Sequence, residues 1–102
     1  MRVVLCNCPP ERASDIARAV VQEKLAACVN LVPVRSIYVW DGELQDDAEV
    51  TLVLKTASET VTALRDRLLA LHPCDVPEVV VLTVEAGASA PDYVSWVRAT
   101  TT

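Results

Sequence analysis

The spacing of apolar residues along this chain alternates between the period of a strand and that of a helix. Val3-Val4-Leu5-Cys6-Asn7-Cys8 is a short, mostly apolar run closed by Pro9-Pro10, and reads as a buried central strand. From about Glu11, the residues Ala13, Ile16, Ala17, Val20, Val21 and Leu25 recur at helical spacing. Charged Glu11, Arg12, Asp15, Arg18, Glu23 and Lys24 fill most of the other positions, which predicts an amphipathic helix with one face on a sheet. Two extended arms follow, roughly Cys28 to Trp40 and Leu44 to Thr56, joined at Asp41-Gly42, a strong hairpin signal. At about 3.3 Å per residue each arm reaches about 40 Å, too long for a small domain to cover. The hairpin is therefore expected to bend at Pro33 and to project its tip toward another subunit. Ser58 is the expected cap of a second helix carrying Val61, Leu64, Leu68 and Leu71 and closed by His72-Pro73. Val79 to Val84 reads as a strand covered on both sides. Gly87 to Ala90 is a turn, Pro91-Asp92 opens a short helix with Tyr93, Trp96 and Val97, and Ala99 to Thr102 reads as a frayed tail.

This order, β-α-β-β-α-β with an extra C-terminal helix, is the ferredoxin-like α+β arrangement. Right-handed crossovers put both helices on one face of the sheet. The other face, rich in Val and Leu, is then bare and needs a partner, for which identical faces are the simplest choice.

Composition sharpens that expectation. A chain of 102 residues is one domain, yet 52% of it is hydrophobic without a single Phe. That is more apolar surface than one small core needs, and it points to a homo-oligomer. The formal net charge of −5, with no basic cluster, argues against nucleic acid as a partner. The longest apolar run falls far short of the ~20 residues that span a membrane. Met1-Arg2 runs straight into Val3-Val4-Leu5 without a leader pattern, so the expected location is cytoplasmic. Cys6, Cys8, Cys28 and Cys74 are then expected as thiols.

Two readings of the thiols stay open. Cys6 and Cys8 lie two apart on a strand and share a face, and thiolates with imidazole suit copper or zinc. They also suit a core as small hydrophobes, with His72, the only histidine, simply ending a helix. The carboxylates Glu43, Asp46, Asp47 and Glu49 are either a weak cation site or a solvated, edge-protecting run. Tyr38 and Trp40 share a strand face and either close a pocket or pack at an interface. Lys55, among alternating apolar residues, is expected to pair with Glu78 or Glu85 and to line a cleft between subunits. No phosphate-cradling loop or nucleophile elbow is present, and Pro73 constrains any Cys74–His72 pair, so no enzyme is expected.

Five spaced blocks carry a resemblance: Leu25 to Asn30, Tyr38-Val39-Trp40-Asp41-Gly42, Lys55-Thr56, His72 to Glu78, and Asp92-Tyr93 with Trp96. In this order the chain resembles the CutA family, named for divalent-cation tolerance, from Val4 to about Arg98, so residues 1–102 are read as a single CutA-like domain. The resemblance implies a PII-like homotrimer, with sheets facing inward and hairpins linking neighbours. It also implies metal ligands at Cys6 and His72, for copper or another divalent cation. Two departures add thiols: Cys6-Asn7-Cys8-Pro9 stands where the family usually has Cys-Thr-x-Pro, and Cys74-Asp75 where Tyr-Glu commonly follows His-Pro. The resulting expectation is a metal-responsive trimer that presents its hairpins to an unidentified protein partner. The alternative is a PII-like scaffold that binds a small molecule near Lys55 and Glu78, with metal incidental.

Overall fold

The computed structural model describes residues 1–101. Its elements are β1 (Arg2–Cys8), α1 (Pro10–Gln22), β2 (Cys28–Trp40), β3 (Glu43–Thr56), α2 (Val61–Leu71), β4 (Glu78–Thr83), a short 3-10 turn (Ala86–Ala88) and α3 (Pro91–Thr100). The sheet is antiparallel throughout, in the order β2-β3-β1-β4, which is the ferredoxin-like order. Alternation along β1 and β3 sends Val4, Cys6, Cys8, Val50, Leu52 and Leu54 to one face. There they meet Ala13, Ile16, Ala17 and Val20 of α1 and Leu64 and Leu68 of α2. Both helices lie on this face, as right-handed crossovers require.

Leu5 occupies the centre of the opposite face, paired in register with Val53 on one side and Val80 on the other. Val3, Val32 and Leu82 fall on the same side by alternation. Val32, Val80 and Leu82 are each more than 40% exposed.

The hairpin turns through Asp41 (φ 52°) and Gly42 (φ 75°), between Trp40 and Glu43, a two-residue loop with both φ values positive. Pairing between β2 and β3 runs unbroken through Pro33, which sits opposite Val50. A proline is tolerated there because β2 is an edge strand. Beyond Val50 the hairpin has no third strand, and the molecule is 45 Å long.

Four local expectations are corrected. Ser58 does not cap α2: residues 58–60 form a turn in which the Thr60 N–H reaches Ala57 O, and Thr60 takes the capping position. β4 is not covered on both sides, because an edge strand beyond the reach of α1 leaves Val80, Val81 and Leu82 half open. The first helix stops at Gln22 instead of running to Leu25. Lys24 (φ 60°) turns the chain, its N–H reaching Val21 O at 3.0 Å and that of Leu25 reaching Val20 O at 2.9 Å, a Schellman ending. The chain end is not frayed as far as Thr101, which is buried and donates its Oγ1 hydrogen to Val97 O at 2.9 Å, while Thr102 lies outside the described residues.

Candidate functional site

A cleft opens where β1 ends. Past Cys8 the hairpin continues alone, and the segment 72–77 leading from α2 into β4 forms the opposite wall. The space between them measures about 680 Å³. Asn7 and Glu49 lie at its base, Ser36, Tyr38 and Trp40 along the hairpin, and His72, Cys74, Asp75 and Glu78 on the far wall. It contains three carboxylates, a thiol and an imidazole, with no lysine or arginine in its lining.

His72 locks the wall in place. It precedes Pro73 and is extended (φ −77°, ψ 133°), which ends α2 there. Its Nε2 lies 2.7 Å from Asn7 O, and its Nδ1 accepts the Cys74 N–H at 3.1 Å. A nitrogen that accepts carries no proton, so this pair of contacts assigns the proton to Nε2, which donates to Asn7. Arg12 donates to Leu71 O at 3.4 Å, adding a charged donor at the carbonyl end of the same helix.

The thiols separate by face. Cys6 is fully buried among the helices, and burial, helped by Cys8, Glu78 and Cys74, pushes its pKa up to about 12. Cys8 is also buried and raised, by burial and then Glu49. Since the thiolate is the ligand, neither core thiol is prepared for metal at neutral pH. Cys74 is exposed at the cleft, and Cys28 is half-buried elsewhere.

Cys6 and His72 therefore do not form a ready donor pair: the thiol points into the core, and both ring nitrogens are engaged by backbone. Among the described residues, no group of three or more His, Cys, Asp or Glu side chains is arranged to hold a metal ion. Lys55 and Glu78 are not neighbours within one chain either. Lys55 is opposite Val3 and Glu78 opposite Asn7, four residues along β1, or about 13 Å. The Lys55 ammonium bonds the Asn30 carboxamide instead of the carboxylate expected for it. Asn30 is its diagonal neighbour across the β2–β3 pair, which local spacing gave no reason to prefer.

Two of the four carboxylates in the acidic run on the hairpin are committed. Asp46 accepts from Arg35 at 2.6 Å, which holds its carboxyl below the usual range, and Asp47 accepts from the Tyr38 hydroxyl at 2.7 Å. Tyr38 and Trp40 both face the cleft. Asp75 was not singled out as a site residue by its sequence context. Only the tertiary meeting of its loop with the hairpin brings it there.

A ferredoxin-like sheet with one bare apolar face, a projecting hairpin and a cleft at the hairpin's root defines a small α+β subunit of the PII-like kind. The pattern of the CutA1 divalent ion tolerance protein family matches residues 2–100, and the chain belongs to that family. It is 46% identical over 101 residues to the divalent-cation tolerance protein CutA of Thermus thermophilus, covering 97% of this chain and 96% of that protein. It is 50% identical over 97 residues to protein CutA of Homo sapiens, covering 93% of this chain and 53% of that protein, so it spans about half the length of the human relative. Among solved structures, the PII-like protein CutA from Nostoc sp. PCC 7120 in apo form superposes with a TM-score of 0.98 at 44% identity, covering 100% of this chain and 98% of that one. The CutA of Archaeoglobus fulgidus, described as periplasmic, superposes at 0.91 with 29% identity and covers 98% of each chain. No helix among the described residues is long and apolar enough to cross a membrane.

Proposed function

We propose that this chain acts in divalent-cation tolerance as a homotrimeric, metal-responsive protein whose cleft collects a divalent cation, copper first among the candidates. The observation that carries this reading is the lining of the cleft, where carboxylates, a thiol and an imidazole border one space without a lysine or arginine. Soft donors beside imidazole favour copper. Cys/His ligation then begins at exposed Cys74 rather than at Cys6. The Cys6–His72 pair implied by the family resemblance forms only if His72 releases Asn7 and the core opens. With no complete donor set in one subunit, a neighbouring copy supplies the rest, and the bare apolar face supports such an assembly. The protein is read as non-enzymatic. Cation binding alters the hairpin surface offered to a protein partner, and four free thiols fit a cytoplasmic setting.

The test is isothermal titration of the reduced protein with Cu(I), Cu(II) and Zn(II). Cys74→Ser and His72→Ala are expected to weaken binding by about tenfold or more, and Cys6→Ser to change it little. Equal affinity in all three variants removes the site. A second reading, a PII-like small-molecule scaffold in which metal is incidental, is favoured by the engagement of both His72 nitrogens. It predicts untagged protein that carries no metal after expression in metal-replete cells.

A further inference from the structure

We propose that the cleft takes a small aliphatic polyamine, a hydrocarbon chain bearing two or more ammonium groups. This rests on the reading of the cleft as the ligand site and names a second class of cation for it. The cleft's size is the first argument. A divalent ion with six waters at about 30 Å³ each occupies about 180 Å³, a fraction of the 680 Å³ that a single subunit leaves open. A volume of this order is that of a small-molecule pocket.

The lining is the second argument. Tyr38 and Trp40, two apart on β2, turn to the same side, and their side chains are half exposed. Tyr38 donates its hydroxyl hydrogen to Asp47, which orients its ring beside the cleft. A bare metal ion makes little use of such rings, whereas an alkylammonium gains from both the ring face and its own buried methylenes. Glu49 sits on the hairpin side and Asp75 and Glu78 on the opposite wall, so negative charge flanks the rings on two sides. Arg35, the nearest hairpin cation in sequence, is spent on Asp46. The lining that one subunit provides offers an anion no lysine or arginine, and a monovalent amine leaves two of the three carboxylates unanswered. A chain with several separated ammonium groups answers them while its methylenes cover the aromatic surface.

Titration calorimetry of the intact protein with spermidine tests this, at low salt and at about 0.15 M salt. Saturable binding is expected at both, weakened by about tenfold in Trp40→Ala and in Glu78→Gln, and unchanged in Cys74→Ser. Asp75→Asn serves as a further variant, because its exposed side chain makes no hydrogen bond to another of the described residues, and it is expected to weaken binding as well. Circular dichroism checks that each variant is folded. Binding that survives all three cleft substitutions, or that vanishes at the higher salt, is diffuse attraction to an acidic chain and overturns the proposal. Copper binding without spermidine binding overturns the polyamine alone and leaves the metal reading standing. Loss of copper but not spermidine in Cys74→Ser separates the two and supports both.

Discussion

The Nε2 of His72 lies 2.7 Å from the main-chain oxygen of Asn7, 65 positions away in the chain. This contact fastens the end of α2 to the end of β1, and through the Cys74 N–H it also shapes the loop that walls the cleft. Removing the ring leaves a partly buried carbonyl without its donor. His72→Ala is expected to cost about 1–3 kcal/mol in urea unfolding at fixed protomer concentration, and His72→Gln, which keeps a donor, less. An unchanged midpoint in His72→Ala would show that the contact contributes nothing.

Thiol chemistry should follow burial. Iodoacetamide added to the folded, reduced protein is expected to label Cys74 first, with Cys6 and Cys8 reacting only after unfolding. Peptide mapping by mass spectrometry reads the order. Early labelling of Cys6 would contradict its place in the core.

The same burial makes a prediction about alkaline pH. The Cys6 thiol titrates near 9.0 when unfolded and near 12 when folded. Between those values the folded chain keeps a proton that the unfolded chain gives up, so stability falls as pH rises through that window and is unaffected below it. The denaturation midpoint should drop above pH 9, and Cys6→Ala should flatten the slope. Just above 9 the Cys8 thiol, also raised by burial, shares the slope with Cys6, so Cys6→Ala removes only its own part. Tyr38, raised to about 12 by its bond to Asp47, adds only from about 10. A slope identical in Cys6→Ala would assign the effect to other groups.

Lys24 holds a left-handed conformation (φ 60°) that L-residues avoid at a cost of about 1–2 kcal/mol. Lys24→Gly should raise the thermal midpoint modestly, because the relief is partly offset by the entropy glycine loses on folding. Lys24→Val, with its branched Cβ, should lower the midpoint by the equivalent of about 1 kcal/mol. If both variants melt alike, the turn is not under strain.

What the sequence made legible was local and periodic. Asp41-Gly42 between two long arms gave the hairpin and its turn, and the repeats in α1 and α2 gave the faces that became the core. The succession of strands and helices gave the ferredoxin-like order. What stayed hidden depends on residues far apart in the chain. No spacing rule brings His72 to Asn7, or gives Lys55 an amide partner in Asn30 while Glu78 sits at the other end of β1. Cys6 was legible as either ligand or core filler, and only the direction of its side chain, set by the packing of α1 and α2, decided for the core. Ser58 looked like a helix cap because its residue type suits one. The turn closed by Thr60 N–H on Ala57 O moved the helix start past it.

Leu5 is the residue on which assembly should turn. It sits between Val53 and Val80 at the middle of the sheet face opposite α1 and α2. Within one subunit, a charged side chain there points to solvent and leaves the Val4–Cys6–Cys8 side of the strand intact. In a trimer closed through these faces, three copies of that charge would converge near the axis, desolvated and repelling one another. Leu5→Lys is therefore expected to sediment as a smaller species at micromolar concentration while keeping the far-ultraviolet spectrum of the folded subunit. If the wild type sediments as a trimer and Leu5→Lys does too, the interface lies elsewhere. The neighbouring copy proposed to complete the cleft's donor set would then have to approach along the hairpin or the edge of β4.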